Sequence, residues 1–528
     1  MQQSMVIRWC LLFLVAFQSM EVNQAARILA PFFFPGKSHL IMTNAIVREL
    51  VKRGHEVTFI TAFSLAKENL GPNYKEVLIP QYDFWPRIKE KSKKTTVLEM
   101  ADLSSLTFIA LCQDMGLHST DFAFQQPEVQ ALIQAKNKLG KYDLLLAEEF
   151  YNEGALILGH LYQIPIVTIS TFGYTNYLSN MFGFVAPWSF VTHMYLPYTD
   201  RLSFSERIHN TYLCTMEVFL RRFYYLPAQD AILRKHFSHL LDEVPTVKQL
   251  NNNVSAILIN NFMPLDAPRP TSFNMIPVGG LHIVPPKPLP KHLQDFLDGA
   301  THGAIYFSLG SQVRSAEFPP EKIQILLEVF GSLKQRVLWK FEADKLDHLP
   351  DNVMIQNWLP QADILAHPNV KVFIAHGGQF GIQEAVYYGV PLLGIPIYAD
   401  QHGNIHKSVA KGYALGLSYD AISTDTLNGS LSELLYNPKY QTNAKRASRI
   451  YRDRPLGAMD TAMYWIDYVI EHRGAPHIIS ASLSLSWYQL YLLDVLAVAL
   501  VIILIPLLGL YFLCTKSSRR TPTKVKRN

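Results

Sequence analysis

From Val495 to Cys514 the chain runs for 20 residues without a charged side chain. A stretch of that length and character is stable as a helix through a hydrocarbon core, so a single membrane span is predicted over residues 493–514. Pro506 inside it would be costly in a water-soluble helix and is tolerated in a membrane one, and Trp487, Tyr488 and Tyr491 stand where an interfacial aromatic belt would lie. Beyond the span, residues 515–528 carry Lys516, Arg519, Arg520, Lys524, Lys526 and Arg527 and no acid. Such a tail is expected on the cytosolic side, which puts the large remainder of the chain on the other face of the membrane and predicts a single-pass type I arrangement.

The same six charges account for the basic balance of the sequence. Subtracting them from the formal net charge of +5 leaves the rest of the chain near −1, so nucleic acid is not an expected partner, whereas membrane lipid is. Residues 1–25 hold one basic residue, Arg8, an apolar run from Trp9 to Phe17 and small residues at Ala25 and Ala26, the pattern of a secretory signal peptide. Lys524-Val525-Lys526-Arg527-Asn528 resembles a Lys-x-Lys-x-x retrieval signal, or is a plain juxtamembrane basic cluster. Together these predict an endoplasmic reticulum membrane protein with its domains in the lumen. Of the four cysteines, Cys10 lies in the signal and Cys514 in the span, leaving Cys112 and Cys214, whose pairing is allowed there and not demanded. Asn253-Val-Ser and Asn428-Gly-Ser are acceptor patterns for glycosylation.

A length of 528 residues exceeds one compact core. Arg27 to Phe34 reads as a short apolar strand, followed by a helical pattern to Lys52 and a second strand from Gly54 to Thr61, with further apolar strands at Leu144–Ala147 and Ile164–Ile169. This alternation predicts a parallel sheet covered by helices. A second series begins at Ala304 and continues through Val337–Phe341, Val370–Ala375 and Pro391–Ile397. Between them Ile283-Val-Pro-Pro-Lys-Pro-Leu-Pro-Lys-His is proline-rich, so the expected division is a first domain at 26–282, a linker at 283–292 and a second domain at 293–480. A cleft between two such sheets, outside the carboxyl ends of their strands, is the natural ligand site. The aromatic-rich stretch from Tyr177 to Leu226 is read as helices lining an acceptor pocket or touching the membrane, or as ordinary helical core.

The stretch from Trp358 to Gln401 is the most informative. After Trp358-Leu-Pro-Gln361 and the strand at Val370–Ala375 come His376-Gly377-Gly378-Gln379-Phe380-Gly381-Ile382-Gln383-Glu384, and then Ile397-Tyr-Ala-Asp400-Gln401. A strand that empties into a glycine turn and opens a helix directs backbone N–H groups and the helix dipole at the cleft, which makes an anion site. His376 could hydrogen-bond a phosphate oxygen, Glu384 could accept both hydroxyls of a ribose, Trp358 offers a stacking face, and Asp400 and Gln401 offer partners for sugar hydroxyls.

In order and spacing these segments resemble the UDP-glucuronosyltransferase family, the UDP-glycosyltransferases of family-one type. The resemblance extends to Phe307-Ser-Leu-Gly-Ser311, to Val278-Gly-Gly-Leu-His282 before the proline linker, and to both ends of the chain. It implies an α/β fold of the GT-B type, two Rossmann-like domains facing a cleft plus a C-terminal transmembrane helix. It also implies inverting transfer of a hexosyl group from UDP-glucose or UDP-glucuronate to a hydroxyl of a small lipophilic acceptor. The positions matching Trp358 and Gln361 hold the uracil, Glu384 the ribose, Ser311, His376, Gly377 and Gly378 the diphosphate, and Asp400 and Gln401 the sugar. Arg269 resembles a family arginine near the diphosphate, or is surface charge.

The family's catalytic base matches His39, in the loop after the first strand, and an imidazole titrating near ~6.5 suits that work. The carboxylate that would orient and stabilise its charged form matches Glu148, one methylene longer than the aspartate of most relatives, and Glu149 is an alternative. Ala375 and Phe380 also depart from the family pattern, where threonine or serine and asparagine are usual. No Asp-x-Asp occurs, so no catalytic metal is expected, and no cofactor beyond the UDP-sugar co-substrate. A homo-oligomer is compatible with this reading. The competing readings are a non-catalytic UDP-sugar or lipophile-binding membrane protein of the same fold, and a receptor with a large ectodomain.

Overall fold

The computed structural model describes residues 25–518 except residue 344. All but the last residue of the signal peptide expected at 1–25, and the tail from residue 519, lie outside the described residues.

Short runs rich in Leu, Ile and Val form two all-parallel sheets, because strands covered by helices on both faces need apolar residues at every position rather than at alternate ones. The first sheet contains β1 (Arg27–Pro31), β2 (Glu56–Thr61), β3 (Tyr74–Leu78), β4 (Leu144–Glu148), β5 (Ile166–Ser170), β6 (Val254–Ile259) and β7 (Met275–Pro277), in the spatial order β3-β2-β1-β4-β5-β6-β7. The second contains β8 (Ala304–Ser308), β9 (Arg336–Lys340), β10 (Val353–Gln356), β11 (Val370–Ala375), β12 (Leu392–Gly394) and β13 (Ala414–Gly416), in the order β10-β9-β8-β11-β12-β13. In each, the chain runs outward from the first strand and then restarts on its other side. The order therefore reverses between β1 and β4 in one sheet and between β8 and β11 in the other, and a crevice opens at the carboxyl ends of those strands. His39 and Glu148 stand at the first of these crevices, and Ser311 and His376 at the second.

Two features tie the halves together. At the end of β6, Asn260 accepts hydrogen bonds from the amide nitrogens of Gln379 (3.2 Å) and Gln383 (2.9 Å to its side chain) in the helix Gln379–Tyr388 of the second unit. The helix Ala458–Glu471, within the span the sequence assigned to the second domain, packs Ala462, Met463, Ile466 and Val469 into the core formed by Ile28, Ile46 and Val57 of the first. These four lie on one face at helical spacing, and Arg53 closes the contact on Asp460 at 2.6 Å. The linker from residue 283 to 290 has no regular element; its Lys287 N–H donates to Asp363 at 2.8 Å.

The last helix, Leu493–Ser518, stands clear of the domains, and its 24 residues from Leu493 to Lys516 have no buried share. At 1.5 Å per residue they extend about 36 Å, longer than a hydrocarbon core of roughly 30 Å. Cys112 and Cys214 are both buried free thiols.

Candidate active site

β4 is buried along its whole length and ends in Glu148, 1% exposed. A carboxylate so placed must find a partner. It finds His39, the first residue of the helix His39–Lys52 that follows β1: His39 Nδ1 lies 2.5 Å from Glu148 Oε1. The Thr171 hydroxyl, just past β5, donates to the same oxygen at 3.0 Å. Phe34, Phe150 and Phe172 surround the imidazole with ring centroids 4.7, 4.6 and 5.1 Å away. With Nδ1–H donated to the carboxylate, the tautomer is set and Nε2 carries the free lone pair. The extra methylene of glutamate is thus accommodated.

Glu149 does not compete for the imidazole. Successive residues at a strand end point to opposite faces, and Glu149 is grouped with Glu153, Tyr177 and Arg221 on the other side. Burial first, and the neighbouring Glu153 carboxylate second, raise its carboxyl well above the usual range. The charge of that group is balanced by Arg221, which donates to Glu153, as does the Tyr225 hydroxyl.

Across the cleft, β8 leads to Gly310 and Ser311, and β11 to His376-Gly377-Gly378. The glycines are required by space. A Cβ on Gly310 would lie 2.6 Å from His376 Cε1, and one on Gly378 2.5 Å from His376 Nε2. Gly377, at φ +90°, holds a conformation side chains rarely adopt. Gly378 then caps the ten-residue helix from Gln379, whose first-turn amides have no intrahelical acceptor. Burial, helped by Lys340 nearby, pushes the His376 pKa down to about 4, so the ring is neutral, and its buried Nδ1 has no partner in the protein.

Further along the same wall, the Gln361 amide donates to Glu384 Oε2 at 2.5 Å and its carbonyl accepts from the Tyr306 hydroxyl at 3.3 Å. Burial raises the Glu384 carboxyl to about 7. His282 sits 3.7 Å from its other oxygen, held neutral by burial and packed edge-on to Phe380. Phe380 thus meets His282 through an aromatic contact, with ring centroids 4.9 Å apart. Trp358, 73% exposed, forms the lip. Asp400 accepts from the Asn404 amide at 2.6 Å, and burial lifts its carboxyl to about 6. The Gln401 carbonyl is consumed by the N–H groups of Ile397 (2.8 Å) and Tyr398 (3.1 Å), which leaves its amide nitrogen for a ligand. Ala399, between these elements, has φ +57°, a strained backbone costing about 1–2 kcal/mol at a cleft wall.

One cavity of about 690 Å³ joins the two walls, and His39, Ser311, Trp358, Gln361, His376, Gly378, Glu384, Asp400 and Gln401 all line it. Glu148 lies behind His39, and Gly377 behind the turn. Arg269 lies elsewhere. Neither on the cleft nor at the surface, it is paired with Asp266 at 2.8 Å beneath Tyr174, beside a separate depression. The apolar wall beside His39 is built from Phe84, Trp85, Met100, Phe108 and Met115, and no residue between Tyr177 and Leu226 lines the cavity. The apolar wall on the His39 side is thus drawn from residues 82–115 together with Phe34, Phe150 and Phe172, and the aromatic-rich stretch, read from the sequence as pocket-lining or membrane-touching helices or as ordinary helical core, does not line this cavity. Thr171, His282, Lys287 and Lys340 were not singled out as site residues from the sequence either; only the position of His282 at the end of Val278-Gly-Gly-Leu-His282 marked it.

Two parallel sheets that open at their switch points onto one cleft make the GT-B fold. Among solved structures, glycosyltransferase VinC in complex with DTDP superposes with a TM-score of 0.58 over 84% of this chain and 100% of that one, at 16% identity, a likeness of fold. Residues 33–528 match the family described as UDP-glucoronosyl and UDP-glucosyl transferase. UDP-glycosyltransferase UGT5 of Dactylopius coccus is 34% identical, spanning 95% of this chain and 94% of that protein. UDP-glucuronosyltransferase 2B1 of Rattus norvegicus is 33% identical over 91% and 90%. The chain belongs to the UDP-glucoronosyl and UDP-glucosyl transferase family and is a UDP-glycosyltransferase.

Proposed function

We propose that the protein transfers a hexosyl group, glucose or glucuronic acid, from a UDP-sugar to a hydroxyl of a small lipophilic acceptor, inverting the anomeric carbon. The observation that carries this is the His39–Glu148 pair at 2.5 Å, set in an aromatic wall and sharing a cavity with the glycine turn at 376–378. His39 Nε2 takes the acceptor's hydroxyl proton as the acceptor oxygen bonds to the anomeric carbon, while Glu148 stabilises the imidazolium. The bond from that carbon to the β-phosphate oxygen breaks, and UDP leaves with the electron pair. Its developing charge meets the Gly377-Gly378 turn, the helix dipole behind it, His376 and Ser311. Trp358 and Gln361 hold the uracil, Glu384 the ribose, and Asp400 and Gln401 the sugar. The apolar wall from Phe84 to Met115 selects phenols, alcohols and steroid-like molecules.

The test is His39→Ala, which is expected to abolish transfer and leave UDP affinity within about twofold, since general-base loss alone removes about 10²–10⁴-fold. Retained turnover would take His39 out of the role. A screen of UDP-glucose against UDP-glucuronate with several phenols identifies the donor.

We further propose that both domains lie in the endoplasmic reticulum lumen, held by the helix from Leu493 as a type I span. Support comes from the uncharged run of that helix and the six positive charges after it.

A further inference from the structure

Arg269, unused by the cleft, belongs to a second cluster of charge in the segment that follows β6. Asp266 there accepts from Arg269 at 2.8 Å, Lys407 at 3.0 Å, the Asn261 amide at 3.1 Å and the Ala267 N–H at 3.0 Å, two donors to each carboxylate oxygen. Burial alone would raise this carboxyl, and Arg269 and Lys407 override it and hold it well below the usual range. Lys411, one turn after Lys407 at the end of the helix Gln401–Ala410, donates to the Leu265 carbonyl at 2.7 Å. Burial pushes its ammonium down to about 8, although Asp266 favours the charge.

These groups line a depression of about 430 Å³ that shares no residue with the catalytic cavity. Arg201, Arg269, Lys407 and Lys411 line it together with Asp200 and Asp266, four cations to two carboxylates. The buried carboxylate is filled on both oxygens and Asp200 is exposed, whereas donors are in excess. The Arg269 side chain is 8% exposed, and its buried Nε has no partner. Each ammonium has further N–H groups beyond the one bonded to Asp266 or Leu265. The Arg201 guanidinium has no hydrogen-bond or ion-pair partner among the described residues. A buried donor without an acceptor costs stability that a bound anion restores. The walls are already in place. A Cβ on Gly403, in the helix that leads to the two lysines, would lie 2.9 Å from the carbonyl oxygens of both Met194 and Leu196, so the segment carrying Arg201 is packed against that helix before any ligand arrives.

We propose that this depression is a second anion site, separate from the cleft, that takes a soluble phosphate dianion, free or carried on a small organic molecule. Two negative charges match the surplus of cations. A tetrahedral oxyanion can take the paired N–H groups of an arginine and the single N–H of each lysine at once. The site goes beyond the transfer reaction and does not depend on it.

The test is calorimetric titration of inorganic phosphate into the full chain in non-ionic detergent, with the cleft saturated by UDP and ionic strength held constant with chloride. Arg201→Gln, Lys411→Gln and, as a charge control away from the depression, Lys334→Gln are titrated alongside. Saturable binding of one phosphate is expected, at least about tenfold weaker in Arg201→Gln and in Lys411→Gln and unchanged in Lys334→Gln. The UDP Kd, measured first, should stay within about twofold in all three and so report an intact fold. Glycerol 3-phosphate binding more tightly than phosphate would place the group on an organic carrier, and equal or weaker binding would assign the free ion. No saturable heat beyond that of matched chloride would overturn the proposal. Saturable binding that neither Arg201→Gln nor Lys411→Gln weakens would put the anion elsewhere and equally overturn it. Absence of UDP binding would strike the reading of the cleft, while phosphate binding that still answers to Arg201 and Lys411 would leave the second site standing.

Discussion

The substitution Glu148→Gln keeps the shape of the buried side chain and removes its charge. In the resting protein the carboxylate accepts from His39 at 2.5 Å and from Thr171 at 3.0 Å, at 1% exposure. During transfer the ring becomes an imidazolium, and the pair becomes an ion pair in a water-poor aromatic setting. At an effective dielectric of about 20, two unit charges about 4 Å apart attract by about 4 kcal/mol, and a hydrogen bond to a charged group contributes about 1.5–3 kcal/mol net. A glutamine carbonyl still accepts from Nδ1–H, so part of the second contribution survives. The barrier should therefore rise by about 2–4 kcal/mol, a fall in kcat of about 30- to 1,000-fold. UDP release coupled to a phenol acceptor, measured with saturating donor, reads the effect directly. UDP affinity, carried by the opposite wall, should move less than about twofold. A folded variant whose kcat stays within about threefold of the parent would refute the assignment of Glu148 as the partner that stabilises the charged base.

Two further predictions concern the nucleotide wall. Gly378→Ala places a methyl group 2.5 Å from His376 Nε2 at an allowed φ, so the imidazole must swing away, and calorimetry should show UDP binding at least about tenfold weaker, roughly 1.4 kcal/mol, with the fold retained; unchanged affinity would separate His376 from the phosphate. Glu384 is raised to about 7 from an ordinary 4.5, so the folded chain keeps a proton that the unfolded chain has lost. Apo stability should fall by up to about 3 kcal/mol as pH rises across that window, and Glu384→Gln should flatten the profile. Because the ionised carboxylate is the better ribose acceptor, the UDP Kd of the parent should rise about tenfold from pH 8 to pH 6, and a flat Kd would free Glu384 from that contact.

The sheets were legible because their strands are dense apolar runs, and the turn at His376-Gly377-Gly378 because only glycine fits beside that imidazole. Ser311 and His376 follow the apolar strands β8 and β11, so a place at the crevice was readable for them, whereas Gln361 and Glu384 stand on the helices Gln361–Leu365 and Gln379–Tyr388, where spacing alone does not give the facing wall. The choice between Glu148 and Glu149 needed the register of β4, because adjacent carboxylates on a strand face opposite ways and spacing alone treats them alike. The acceptor wall was not legible. Residues 82–104 form short helices and irregular turns with no lasting apolar period, and Phe108 and Met115 belong to the long helix Ser105–Gln125, whose sequence does not say which of its faces meets the cleft, whereas Tyr177–Leu226 is richer in aromatics and drew attention for a reason unrelated to the cleft. Arg269 was read either as an arginine near the diphosphate or as surface charge, and Asp266 and the ring of Tyr174 hold it in neither place. The return of Ala458–Glu471 to the first core was equally hidden, since an amphipathic helix does not state which sheet it will cover.

The central claim is a single displacement between His39 on one wall and the glycine turn on the other, and the anomeric configuration of the product reports on it most directly. With an α-linked UDP-hexose donor and a phenol acceptor, proton NMR of the first-formed glycoside should show the β anomer alone. An α-linked product would contradict the geometry by requiring either two successive displacements or departure and attack on the same face.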